Sequence, residues 1–129
     1  MSVPANLKYT EQHEWVTGSG TALKVGITDY AQTELGDVVF VDLPEIGASF
    51  KRGESFATVE SVKAVSDVYA PVDCKVVARN EALIDTPELI NQSAFEQGWF
   101  ITIEPSNPSQ LNELLDGAGY DKFIGQLAK

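Results

Sequence analysis

The residue whose setting suggests chemistry is Lys63, at the centre of Glu60-Ser61-Val62-Lys63-Ala64-Val65-Ser66-Asp67. The segment joins two strand-like runs, Phe56 to Glu60 and Val65 to Val72, so a hairpin turn must fall at Val62-Lys63-Ala64. Tight turns usually recruit Asn-Gly, Asp-Gly or another pair that tolerates positive φ, and a β-branched valine is locally unfavourable there. Natural sequences tend to break turn chemistry at functional sites, where something other than folding selected the residues. An exposed ammonium on a flexible four-carbon stem, with Glu60 and Asp67 nearby, is a poor Schiff-base nucleophile and a good acceptor for covalent modification. The plain alternative is an exposed turn lysine with no further role.

Other catalytic constellations are thin. The single His13 lies in Glu11-Gln12-His13-Glu14-Trp15, and the chain has no Gly-x-Ser-x-Gly elbow, no phosphate-cradling loop and no dinucleotide turn. A small hydrolase built on His13 and a carboxylate lacks a nucleophile with its base and orienting group. With one His and one Cys the usual zinc sites cannot be assembled, so no metal is expected, and Cys74 cannot form an internal disulfide. Nothing adjacent lowers the thiol pKa, and Cys74 reads as incidental rather than redox-active.

Charge removes further classes of partner. Nineteen Asp and Glu stand against nine Lys and Arg, a formal charge of -10 over 129 residues, which argues against nucleic acid and anionic membrane surfaces. No apolar run approaches the roughly 20 residues of a membrane helix. Met1-Ser2-Val3-Pro4 does not begin a presequence, so a cytoplasmic protein of one domain is expected.

The elements that must position Lys63 are mostly short strands. Glu14 to Val16 and Ala22 to Ile27 flank a Gly18-Ser19-Gly20 turn and read as a hairpin. Thr28 or Asp29 caps a brief helix with Ile27, Tyr30, Ala31 and Leu35 on one side, ended by Gly36. Val38 to Leu43 reads as a buried strand, followed by Phe56 to Glu60, Val65 to Val72, Val76 to Ala78 and Phe100 to Ile103, with a helical turn at Glu88-Leu89-Ile90. Seven or so short strands predict an antiparallel sandwich or barrel. Asn107, Pro108 and Gln110 predict a capped helix ended by Gly117. Tyr120, Phe123, Ile124 and Leu127 form the stripe of a second helix, giving a helical segment over about 107–128 that covers the sheet.

These residues resemble the H-protein family of the glycine cleavage system over nearly the whole length. The resemblance is carried by Leu7-Lys8-Tyr9-Thr10, His13-Glu14-Trp15-Val16, Val25 to Gln32, Leu35 to Glu45, Glu60 to Asp67, Tyr69-Ala70-Pro71-Val72, Asn80, Leu83, Pro87, Leu89, Asn91 and Gly98-Trp99. Val62-Lys63-Ala64 also differs from the Asp-Lys-Ala of acyltransferase lipoyl domains and the Met-Lys-Met of biotin carriers. The resemblance implies a mainly β fold, a lipoyl/biotinyl-type barrel-sandwich hybrid with a short internal helix and C-terminal helices. It implies lipoic acid amide-linked to Lys63, with Glu60, Ser61, Val62, Ala64 and Asp67 as the recognition hairpin.

It further implies a carrier that is not itself an enzyme. A pyridoxal-phosphate glycine decarboxylase (P-protein) would load it, a tetrahydrofolate-dependent aminomethyltransferase (T-protein) would unload it, and dihydrolipoyl dehydrogenase (L-protein) would reoxidise it, after a lipoylating enzyme had attached the cofactor. Glu14 and Asp67 would belong to a cleft that shields the loaded arm, with Gln12 and Glu34 standing where some members carry Ser and His. Asp73-Cys74 replaces a common Ser-Gly, predicting a reshaped or slightly strained turn. Ser93-Ala94-Phe95 replaces Ser-Pro-Tyr, predicting altered loop stiffness, and Trp15 and Trp99 are expected in packing rather than cofactor contact. The competing readings are a lipoyl relay to other carriers and an unmodified interaction module.

Overall fold

The computed structural model describes residues 3–17 and 22–127. Its strands make two antiparallel sheets. One holds six strands in the order β1 (Leu7–Tyr9), β2 (Glu14–Thr17), β3 (Leu23–Ile27), β9 (Ile101–Pro105), β8 (Cys74–Arg79) and β5 (Ser49–Phe50). The other holds β4 (Val38–Asp42), β6 (Ser55–Ser61) and β7 (Val65–Tyr69). Val16, Val25, Val76 and Ile103 from the first sheet pack with Val41, Val59 and Val68 from the second in one core. Alternate residues along each strand enter that core, and each full burial of a Val or Ile contributes roughly 1.5–3 kcal/mol. The architecture is mainly β, as expected. The Gly18-Ser19-Gly20 turn lies outside the described residues.

A smaller cluster sits on the other side of β1 and β2, where Tyr9 and Trp15 meet Tyr120 and Ile124 of helix α4 (Gly117–Leu127). Tyr9 and Tyr120 stack with ring centroids 4.8 Å apart. Strand β2 is therefore buried on both faces. Gly26 pairs with Trp15 across the β2–β3 ladder, and a Cβ there would stand 2.7 Å from the indole, so only glycine fits. Within the stripe of α4, Tyr120 and Ile124 are buried, whereas Leu127 is half exposed.

Helix α1 (Asp29–Leu35) forms as its sequence predicts. The Thr28 hydroxyl accepts the Ala31 N–H, and Gly36 closes the helix at φ 81°, its N–H bonded to the Gln32 carbonyl. Two further short helices, α2 (Ala82–Asp85) and α3 (Leu89–Gln92), lie between β8 and β9; α2 was not expected, nor were β1 and β5.

Four expectations are corrected. The β4 run is not a buried strand: a bulge between Val38 and Phe40 turns Val39 and Phe40 outward together while Val38 and Val41 stay inside. The segment after Asn107 is a 3-10 helix over Pro108–Glu113 without an Asn107 side-chain cap. Gln110, which would complete a capping box, instead accepts the Asp73 N–H at 2.7 Å. Gly117 opens α4 instead of ending a helix: Asp116 caps it by accepting the Gly119 N–H at 2.7 Å, and a Cβ on Gly117 would press on Pro4 and Ala5 at 3.1 Å. The Asp73-Cys74 step carries no left-handed strain, because among the described non-glycine residues only His13 has positive φ. Cys74 begins β8 buried opposite Phe50 and Pro105. Its thiol is pushed up to about 11 by burial and by Asp73.

Candidate functional site

Strands β6 and β7 meet at a tight turn whose chemistry is supplied by Ser61. Its hydroxyl accepts the N–H of Lys63 at 3.3 Å and of Ala64 at 3.1 Å, while its own N–H donates to the Ala64 carbonyl at 2.8 Å. A side-chain oxygen thus satisfies the turn amides, and Val62 and Lys63 need no positive φ. This resolves the apparent violation of turn chemistry. The Val62 N–H donates to the Asp37 carbonyl at 3.0 Å and ties the tip to the start of β4. Lys63 is exposed at the apex, as are Val62 and Ala64.

The stem of Lys63 runs back along the C-terminal cap of α1, where its Cε would be 3.4 Å from a Cβ on Gly36. Asn91 holds that cap in place. Its amide donates to the Gly36 carbonyl and the Gln32 side chain, both at 2.9 Å, and its oxygen accepts the Val38 N–H at 2.8 Å. Three polar bonds from one partly buried asparagine on α3 explain why that side chain matters. In the sequence Asn91 stands only among the residues that carry the family resemblance, with no role of its own.

Helix α1 walls a cleft of about 310 Å³ that reaches from His13 and Glu14 on one side to Ser66 and Asp67 on the other, with Gln12 and Glu34 at its margin. The structure therefore brings Glu14 and Asp67 into one recess, next to the element along which Lys63 lies. Glu14 is buried. One of its oxygens accepts the Thr10 hydroxyl and the other the Tyr69 N–H at 3.2 Å, and burial pushes its carboxyl up to about 7 against both hydrogen bonds. Asp67 is exposed and accepts the Ser55 hydroxyl at 3.2 Å. Glu60 lies outside the cleft, exposed on the outer face of the three-stranded sheet. A larger recess of about 420 Å³ lies elsewhere, beneath the Arg52–Glu113 ion pair, and includes no residue of the hairpin tip.

His13 completes the cleft wall. Its Nδ1 is 2.8 Å from the Tyr120 hydroxyl, which is 2.6 Å from the Thr28 hydroxyl, and its ring packs on Tyr30 at 4.6 Å. Burial lowers its pKa, opposed by Glu34. Trp15 donates to the Ala94 carbonyl at 2.9 Å, which anchors the Ser93-Ala94-Phe95 loop, and Trp99 lies under Lys24; neither lines the cleft. Among the described residues no group of three or more His, Cys, Asp or Glu is placed to hold a metal, and no helix is long and apolar enough to cross a membrane.

Residues 7–127 match the family model described as glycine cleavage H-protein. This chain belongs to the glycine cleavage H-protein family. The glycine cleavage system H protein of Anaeromyxobacter sp. (strain K) is 52% identical over 124 residues, covering 96% of this chain and 97% of its own. That of Anoxybacillus flavithermus is 51% identical over 126 residues, covering 98% and 99%. The crystal structure of a glycine cleavage system H protein from Mycobacterium marinum superposes with a TM-score of 0.86 at 37% identity, covering 98% of this chain and 100% of that one. Membership of the H-protein family thus rests on sequence and on fold together.

Proposed function

We propose that this chain is the lipoyl carrier of glycine cleavage, with lipoic acid amide-linked to Nζ of Lys63, and that it catalyses no step alone. The observation that carries this reading is the tip itself, an exposed primary amine at the apex of a turn set by Ser61. The residues fit the group: an amide needs an accessible amine, and a cleft of about 310 Å³ opens beside the helix cap on which the lysine stem lies. Attached to Lys63, lipoic acid would supply the redox-active disulfide needed to carry the aminomethyl unit of glycine between the P-protein decarboxylase and the T-protein aminomethyltransferase, with the L-protein dehydrogenase as its oxidant, in the cytoplasm.

The chain's own contribution is position and surroundings. A rigid two-stranded tip holds the arm's origin still, so the far end stays at high effective concentration near a docked active site. Asp67 and Glu14 would face an ammonium entering the cleft. Glu14, held near neutrality by burial, would be driven to ionise by such a cation, giving a charge-assisted contact away from bulk water.

The test is intact mass and peptide mapping after incubation with lipoate, ATP and a lipoylating enzyme. The expected product carries one lipoyl group, on Lys63, and Lys63→Arg carries none. An unmodified chain, with the same enzyme active on another carrier, would leave an interaction module.

A further inference from the structure

Four of the large apolar side chains that stand exposed among the described residues gather at one end of the three-stranded sheet. Phe40 and Glu60 are register partners, as are Glu60 and Val65, so the three share one outer row across β4, β6 and β7. Phe40 is 52% exposed and Val65 67%. Val39 joins them because the bulge spends a residue to turn two successive apolar side chains outward, and Val62, 70% exposed, overhangs from the tip. A bulge blunts an edge strand without needing apolar residues on it. Their clustering marks an interaction surface.

The chemistry around this patch is one-sided. The next register row is Asp42, Thr58 and Asp67, and none of the three strands carries a Lys or Arg. Lys63 is the cation at its end. A partner that matches the face presents apolar side chains framed by basic ones.

Reach selects among the enzymes that handle Lys63. Once extended by a cofactor the side chain can enter an active site well away from the hairpin. Before that, the reacting atom is Nζ itself, five single bonds of about 1.5 Å and hence about 6 Å from Cα. An enzyme that acts on the bare amine must therefore close against the strands that flank the tip. We propose that the Phe40–Val65 face is the docking surface of the lipoylating enzyme, an inference that rests on the carrier reading above. In the step it serves, Nζ bonds to the carbonyl carbon of lipoyl adenylate, AMP leaves with the C–O electron pair, and the ammonium gives two protons to solvent. Lys63 loses its charge, so the product face is acidic and apolar without its cation.

The experiment is steady-state lipoylation of the unmodified chain, with lipoate and ATP, read by intact mass over a range of carrier concentrations. Phe40→Ser combined with Val65→Thr should raise KM for the carrier about ten-fold with kcat within two-fold. Leu127→Ser, an exposed apolar residue on α4, should match the parent. Phe40→Ser alone, checked by circular dichroism, should show an intermediate KM and guards against misfolding of the double variant. A parent KM in the folded double variant overturns the proposal. So does a parent chain that sediments as a dimer and becomes monomeric on Phe40→Ser, since a second copy would then own the face. A parent chain that takes up no lipoate at Lys63 is a different failure, that of the carrier reading itself.

Discussion

Lys63 and Gly36 are packed against each other: the lysine Cε is 3.4 Å from where a Cβ on the glycine would be, and the glycine ends the helix that walls the cleft. Gly36 has φ 81° and ψ -158°, a region open essentially to glycine alone. Gly36→Ala should cost about 2 kcal/mol, measured as a lower urea midpoint with unchanged m. A loss below about 0.5 kcal/mol would mean that the cap relaxes and does not fix the lysine stem.

Ser61→Ala removes the oxygen that receives the Lys63 and Ala64 amides while leaving the β6–β7 ladder in place. The expected loss is about 1–2 kcal/mol, the range for orphaned amide donors. Hydrogen exchange locates it: the amides of residues 63 and 64 should exchange faster, and those of Val59 and Val68 should not. Uniform acceleration would show that the serine holds the whole hairpin rather than its tip.

The parts legible in the sequence are those governed by neighbours along the chain. Thr28 and Gly36 bound α1 because caps act within one turn, and the hairpin at Lys63 follows from two strand runs that must reverse. The turn looked anomalous only because a serine hydroxyl did work usually assigned to glycine. Where distant residues compete, local signals mislead. Gln110 leaves its capping role for Asp73, Gly117 is chosen by the approach of Pro4 and Ala5, and the bulge at Val38 and Phe40 exists only in pairing with β6. The cleft is legible least, since its walls come from three separated segments. Glu14 and Asp67 were placed together by family resemblance, and no spacing in the chain would have joined them.

Glu14 should make stability fall as pH rises. Burial lifts its carboxyl from 4.5 to about 7, so across that window the folded chain keeps a proton the unfolded chain has shed. The cost grows through the window and is complete above about pH 7, at roughly 3 kcal/mol. His13 acts oppositely: its pKa is lowered, so its contribution rises with pH until the unfolded imidazole is neutral, above about 6.5. In Glu14→Gln the amide oxygen can still accept from Tyr69 and the nitrogen can donate to Thr10. That variant should lose the carboxyl's contribution to the pH dependence of the melting temperature between about pH 5 and 7 and exceed the parent at pH 8. Parallel profiles for the two proteins would exclude a buried, near-neutral Glu14.

Tyr120 should prove to be the bolt between α4 and the cleft wall. Its hydroxyl meets both His13 and Thr28, and the Thr28 N–H also donates to the His13 carbonyl at 2.9 Å, so the start of α1 and the β1–β2 turn are joined through one buried phenol. Tyr120→Phe keeps the stack on Tyr9 and removes only the hydroxyl, with an expected loss of about 1–3 kcal/mol. Tyr120→Ala forfeits the ring as well and should lose about 3–5 kcal/mol. Urea unfolding of the two variants separates the contributions. Because the phenol bonds to cleft elements rather than to the sheet core, Tyr120→Phe should also raise amide exchange at Asp29 to Ala31 more than at Val25 or Ile103. Equal protection at all of these positions would mean that α4 merely covers β1 and leaves the cleft to hold its own shape.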